Sequence, residues 1–334
     1  MRHPICSKKI YSVPKVICTL FLGIYIIKIK IFQELKSNSS IQLSGLANNQ
    51  HRGDGDELTL VTAYFNIGSF NKTPNLMYSK HTYYNWMKNF QYVNNCVILY
   101  TDEIDLSVQF KSYRRHFQIN MTKVFILNQT SLWAFRLQPR IKEIYNQKGY
   151  PIPGIPAYSS AMHAKYELIE KVIKENISTT TYLAWIDIGY LRSNISDCFV
   201  MKPLKIMKDD HIAFSQADFF NSWLTLKEIM YKTKYYIAGG FFIGRPKYLS
   251  LFIKDYKIAV ECLLRRKLMN SDQQILLVMY SGKLFFLPRV PIQTFFDENI
   301  LRKGEPEKWF FLGKLCQRST KQNANENTCN SNHM

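Results

Sequence analysis

Short apolar runs that all stop at turn-forming or acidic residues constrain this chain more than any other feature. LTLVTAYF (Leu58 to Phe65) gives way to the turn-rich NIGSFNKTPN, CVILYTDE (Cys96 to Glu103) closes on acids, TKVFILN (Thr122 to Asn128) follows, and LAWIDIGYLR (Leu183 to Arg192) passes through Asp187 to a glycine. Runs this short and continuously apolar are the pattern of strands buried on both faces. The stretches between them read as helical, as in NLMYSKHTYYNWMKNF and in the segment after PIPGIP. Strands alternating with helices predict an α/β fold: a mostly parallel mixed sheet with helices on both faces. In such sheets ligands gather beyond the strand carboxyl ends, which makes YFNIG, YTDE and WIDIG prospective neighbours.

A chain of 334 residues that is 46% hydrophobic can bury one large α/β domain or two small ones. Sparse glycine and proline exclude collagen-like and disordered classes, and no internal repeat is visible. The net charge is +19, and only eight of the 44 basic and four of the 25 acidic residues precede Leu58, so the globular part is itself basic. An anionic partner follows, either a phosphorylated small molecule or an acidic glycan. Nucleic acid is not expected, because the basic residues are scattered and no zinc-finger, RNP or basic-zipper pattern occurs.

Arg2, Lys8, Lys9 and Lys15 precede the apolar VICTLFLGIYII and its continuation IKIKIF. The reading is a cytoplasmic basic tail (1–15), a signal anchor (16–32) and a polar stem linker (33–57) ahead of the α/β domain (58–315), with a disordered polar tail (316–334). Cleavage of the apolar segment, giving a secreted protein, is the alternative. Sequons at Asn38, Asn71, Asn120, Asn128, Asn176 and Asn194 favour a secretory lumen. The expectation is therefore a single-pass type II membrane protein of the Golgi or endoplasmic reticulum. Five cysteines lie beyond the anchor, so at least one lacks an internal partner, and Cys316 with Cys329 is one pairing able to close the tail.

After PIPGIP, Ser159 or Ser160 can cap a helix whose apolar stripe runs Ala161, Ala164, Leu168, Ile169, Val172, Ile173. Lys165 lies on that stripe, so its stem is buried and its ammonium must reach water or a partner. HIAFSQ and KLFFLP read as later strands. Between β-formers, Gly239 and Gly240 mark a bulge or a close approach. Ser271 can cap a helix with Asp272 in its first turn, where the dipole favours an acid.

The ordered set TLVTAYFNIG, VILYTDE, YSSAMHAKYELI, WIDIGYLR, GGFFIGRP and SDQQIL resembles the HtrL/YibB family, also called WlaTC/HtrL and regarded as glycosyltransferase-like, and more broadly the GT-A nucleotide-sugar-binding fold. The likeness covers roughly Leu58 to Phe311. It implies a nucleotide-sugar donor, a glycan or glycoconjugate acceptor, and site roles: Thr62, Ala63 and Tyr64 at the nucleotide base, Asp102 at base or ribose, Lys165 at the diphosphate, Gly239 and Gly240 on the sugar or acceptor side, and Asp272 as the acid near the reacting carbon. Asp187 would hold Mn²⁺ or Mg²⁺, or bind a sugar hydroxyl without metal. Metal-dependent relatives of that fold carry a second acid two residues on, where side chains on a strand share a side; this chain has Gly189 there. Arg192 is a cationic supplement or a salt-bridge partner. A catalytically inactive relative that binds glycans or nucleotide sugars is the alternative to an enzyme.

Overall fold

Neighbouring residues of the central strands enter different cores. In β1 (Leu58–Tyr64) Val61 joins one buried apolar cluster while Leu60 and Tyr64 join another, and in β4 (Tyr182–Ile186) Leu183 and Trp185 oppose Tyr182, Ala184 and Ile186 in the same way. This is why those runs carry no polar alternation: both faces of the sheet are covered. The computed structural model describes residues 40–43, 57–73, 76–151, 154–193 and 195–320.

The remaining principal strands are β2 (Cys96–Thr101), β3 (Thr122–Ile126), β5 (Ile212–Gln216), β6 (Ile237–Gly244) and β7 (Ile292–Phe296). They are ordered β7-β5-β6-β4-β1-β2-β3, with the short Ser40–Gln42 at the β7 edge. The pairs β7·β5, β4·β1, β1·β2 and β2·β3 are parallel, while β6 runs antiparallel to both of its neighbours. The register of β6 against β5 shifts between Ile237 and Phe242, where the Gly239–Gly240 bulge was expected. The α/β class and the mostly parallel mixed sheet are as read from the sequence. Helices α4 (Pro156–Lys174), α5 (Pro246–Arg265) and α6 (Asp272–Tyr280) pack on one face. Residues of α1 (Lys80–Met87) and α2 (Ile104–Tyr113) pack on the other, with α3 (Gln138–Tyr145) beside α4.

Several local expectations are corrected. The stretch expected to be helical from Asn75 opens instead as one arm of a hairpin, Phe70–Thr73 with Leu76–Tyr78, and α1 starts only after Ser79, whose hydroxyl accepts from Thr82 N–H. Helix α4 starts at Pro156 rather than at a serine cap, since proline at the first helical position lacks only an amide hydrogen that would be unpaired anyway. KLFFLP forms no strand: Phe285 and Leu287 are exposed, and the strand begins after Pro291, where Ile292–Phe295 pairs with Ile212–Ser215. Gln317–Ser319 pairs with Phe199–Met201, so ordered structure passes the expected boundary at residue 315. Cys316 is free and buried and does not close the tail, while Cys198 is disulfide-bonded. The proposed anchor, 16–32, also lies outside the described residues, among which no helix is long and apolar enough to cross a membrane.

Candidate functional site

The chain leaves β1 toward β2 and β3 on one side, then returns to β4 on the other, so the β1–β4 junction is the sheet's topological switch point. A crevice opens at the carboxyl ends of these two strands. Ala63 and Tyr64 line it from β1, Asp187 and Gly189 from the end of β4, Tyr158 from α4 and Tyr83 from α1, with Arg192 closing one side.

Asp187 follows the last residue of β4 and is held through its N–H and Oδ1. Its N–H donates to Gly240 O at 2.8 Å, the Trp185 indole donates to its Oδ1 at 2.7 Å, and the Lys165 ammonium stands 3.1 Å from the same oxygen. Trp185 reaches it because residues two apart at a strand end share a side. The Asp187 side chain is 30% exposed, which makes it the carboxylate of the cluster that faces the crevice.

Lys165 joins this acid to a second one. Its ammonium, only 2% exposed, donates to Gly239 O and to Asp272 Oδ2, both at 3.1 Å. Burial alone would lower its pKa, but the Asp187 and Asp272 carboxylates outweigh that and hold it above the ordinary lysine value. Tyr166 adds a hydrogen bond to Asp272 at 3.4 Å. Lys165, Asp187, Asp272 and Gly239 therefore meet as one cluster, with Gly240 bonded to Asp187.

The glycine pair is explained by this cluster. A Cβ at 239 would overlap the Asp272 carboxylate, and one at 240 would come within 3.2 Å of the Tyr190 ring and 3.4 Å of Asp187 Oδ2. The close approach is made by the chain's own side chains. Neither glycine, nor Lys165, nor Asp272 lines the crevice. Thr62 is fully buried and likewise does not line it, whereas Ala63 and Tyr64 do. Asp102 ties loops together: its carboxylate accepts from Asn66 N–H at 2.9 Å and from the Gln129 side-chain amide at 3.0 Å, and burial raises its pKa.

Reading residue 189 as a strand position is also corrected. The strand ends at Ile186, and Tyr190 N–H donates to Asp187 O at 2.8 Å, so the chain turns there and residues 187 and 189 no longer project together. The space a side chain at 189 would need is filled by Trp86, whose Cε3 would lie 2.5 Å from its Cβ. Arg192 stacks on that indole, with its guanidinium carbon 4.5 Å from the ring centre and 5.7 Å from that of Phe310. Among the described residues no carboxylate pairs with Arg192, so the cation is steadied by rings and by its Nε donating to Gly189 O.

A divalent ion is poorly matched to these donors. Asp187 Oδ1 already accepts the indole and pairs with Lys165, the second acid is missing, and among the described residues no three His, Cys, Asp or Glu side chains converge. Sequence reasoning treated Arg192 as secondary and did not single out Trp86, Tyr83 or Tyr158. Tyr83 and Trp86 stand three apart in KHTYYNWM, a spacing that puts them on one helix face.

Fold and site define an α/β protein with a ligand crevice at its switch point that holds one partly exposed acid and an arginine that no carboxylate among the described residues pairs. The chain belongs to the HtrL/YibB family: residues 56–298 match the model of that family, described as a bacterial protein of unknown function. Protein HtrL of Escherichia coli (strain K12) is 23% identical over 284 residues, covering 78% of this chain and 93% of that protein. Among solved structures, the apo form of mouse xyloside xylosyltransferase 1 is similar to this chain, with 10% identity and a TM-score of 0.35 over 69% of this chain and 84% of that one. The family corrects the expected Golgi or endoplasmic-reticulum placement: it is described as bacterial and its matched member is from Escherichia coli, a cell with neither compartment.

Proposed function

We propose that the protein transfers a sugar from a nucleotide-sugar donor to a saccharide acceptor, with the donor in the β1–β4 crevice. The observation that carries this reading is the presence, in one switch-point crevice, of the partly exposed Asp187 and of Arg192, which no carboxylate among the described residues pairs. Arg192 faces the diphosphate, where a guanidinium suits two phosphate oxygens. Tyr64, Tyr83 and Tyr158 offer flat surfaces for a base or a sugar. The crevice is narrow, about 80 Å³, so a nucleotide enters it only as its lining opens.

In the transfer step the bond from the anomeric carbon to the diphosphate oxygen breaks as the bond to the acceptor oxygen forms, and the acceptor's proton passes to the departing diphosphate. Asp187 Oδ2 stabilises the positive charge that develops at the anomeric carbon, and Arg192 stabilises the negative charge on the leaving group. Asp272 acts through Lys165 as a positioning residue. Cationic help comes from Arg192 in place of Mn²⁺ or Mg²⁺.

Calorimetric titration with nucleoside diphosphates, with and without EDTA, tests binding, and turnover of labelled nucleotide sugars tests transfer. Binding should be indifferent to EDTA. Asp187→Asn should keep diphosphate binding and lose about 100-fold or more in turnover. A protein that no nucleoside diphosphate binds overturns the reading, and binding without turnover in the unaltered protein makes it an inactive relative.

A further inference from the structure

A second cavity, about 440 Å³, lies across Arg192 from the crevice. That volume is within the range of small-molecule sites, roughly 300–1,000 Å³. The turn from Asp187 to Arg192 separates the two spaces, braced by Tyr190 N–H to Asp187 O at 2.8 Å and Arg192 N–H to Tyr190 O at 3.1 Å. Arg192 lines both.

The lining of the second cavity has the chemistry of a saccharide site. Phe310 offers a ring face, Ser193 a hydroxyl and Gln317 an amide, and the charged groups are Arg192, Lys314 and Glu307. Two cations face one acid. No carboxylate among the described residues pairs with Lys314 or with Arg192, so both charges are available to a ligand. Phe310 is held by an edge contact with Tyr190, 5.0 Å between ring centres, and by the Arg192 guanidinium. The platform is therefore fixed before any ligand arrives, which lowers the ordering cost of binding.

We propose that this cavity binds the acceptor as a hexose carrying an anionic substituent, a carboxylate or a phosphate, with Arg192 and Lys314 holding the charge and Phe310 the sugar face. The assignment of the ligand as acceptor rests on the donor reading of the crevice. The selectivity for a charged sugar does not, because it follows from the lining alone. Arg192 lines both spaces, so a saccharide held here lies beside a donor in the crevice.

Saturation-transfer NMR on the full chain tests this with glucuronic acid, glucose 6-phosphate, glucose and inorganic phosphate as probes, and a nucleoside diphosphate titration runs in parallel. At least one charged hexose should bind about tenfold more tightly than glucose, and phosphate alone should bind more weakly than the charged hexose. Which acid is preferred identifies the substituent. Lys314→Glu, an exposed position outside the crevice, should weaken the charged hexose about fivefold and leave nucleoside diphosphate binding unchanged. Equal binding of glucose and the charged hexoses, no binding by any hexose, or indifference to Lys314→Glu overturns the proposal. Loss of diphosphate binding with the charged-hexose preference intact removes the donor reading and leaves an anionic-saccharide site.

Discussion

The Lys165 ammonium lies 3.1 Å from Asp272 Oδ2, and the two side chains are 2% and 3% exposed. Removing the lysine strands a buried carboxylate. Lys165→Met should cost about 3–5 kcal/mol in urea unfolding, whereas an isolated surface pair would cost under about 1 kcal/mol. The sign with pH follows from the raised lysine pKa. Its contribution is complete below the unfolded value of about 10.4 and is lost as pH rises through the higher folded value. The stability gap between the unaltered protein and Lys165→Met should therefore hold from pH 7 to 9 and narrow above about 10.4. A gap that stays constant to pH 12 would show that the ammonium's charge is not what matters.

His163 gives the opposite slope. Its ring lies between the Tyr256 hydroxyl, 2.7 Å from Nδ1, and Met269 Sδ, 3.3 Å from Nε2, and burial together with the Lys165 charge pushes its pKa down to about 3. The unfolded chain binds a proton near pH 6.5 and the folded one does not, so stability present above about 6.5 drains away as pH falls toward the folded value, at up to about 1.4 kcal/mol per pH unit. His163→Gln should flatten the stability profile between pH 6 and 4 by about that slope. Parallel profiles for the two proteins would assign the acid sensitivity elsewhere.

The sheet was legible because its strands are buried on both faces, a property that burial imposes directly on residues such as Leu60, Val61, Leu183 and Ala184. Asp187 was legible for the same reason: an acid at the end of a buried run stands out. The Lys165–Asp272 contact was not, since it joins residues 107 apart through a helix packing angle that no local pattern encodes. KLFFLP misled because its apolar alternation belongs to a loop: Leu284 is buried in the core while Phe285 and Leu287 are exposed, and no strand pairs there. The turn at Gly189 was missed because it depends on Trp86 filling space from a distant helix.

Arg114 carries a prediction about the far side of the sheet. It is 2% exposed and its guanidinium donates to the carbonyls of Phe90, Val93 and Asn95 at 2.7 to 2.8 Å, with Nε donating to Thr122 Oγ1 at 2.9 Å. Among the described residues no carboxylate takes part, and the planar fork satisfies buried main-chain oxygens that lysine's single ammonium cannot reach together. Arg114→Lys should cost about 2–3 kcal/mol in urea unfolding despite keeping the charge. A loss under about 0.5 kcal/mol would mean that water replaces the missing donors.

Gly189 and Trp86 supply the last prediction, a coupling that bears on whether a second acid can be installed beside Asp187. A Cβ at 189 would lie 2.5 Å from Trp86 Cε3 and 2.9 Å from Cζ3, so Gly189→Ala should cost about 1–3 kcal/mol through overpacking. In a Trp86→Ala background the obstructing ring is gone, and the same substitution should cost close to nothing. The cycle should therefore show a coupling energy of about 1–3 kcal/mol in urea unfolding. Purely additive effects would place the need for glycine in the backbone, although its φ is not among the positive ones. An aspartate at 189 meets the same ring before its carboxylate can reach the crevice, so restoring a paired-acid site requires changing Trp86 as well, and that change also removes the surface on which Arg192 rests.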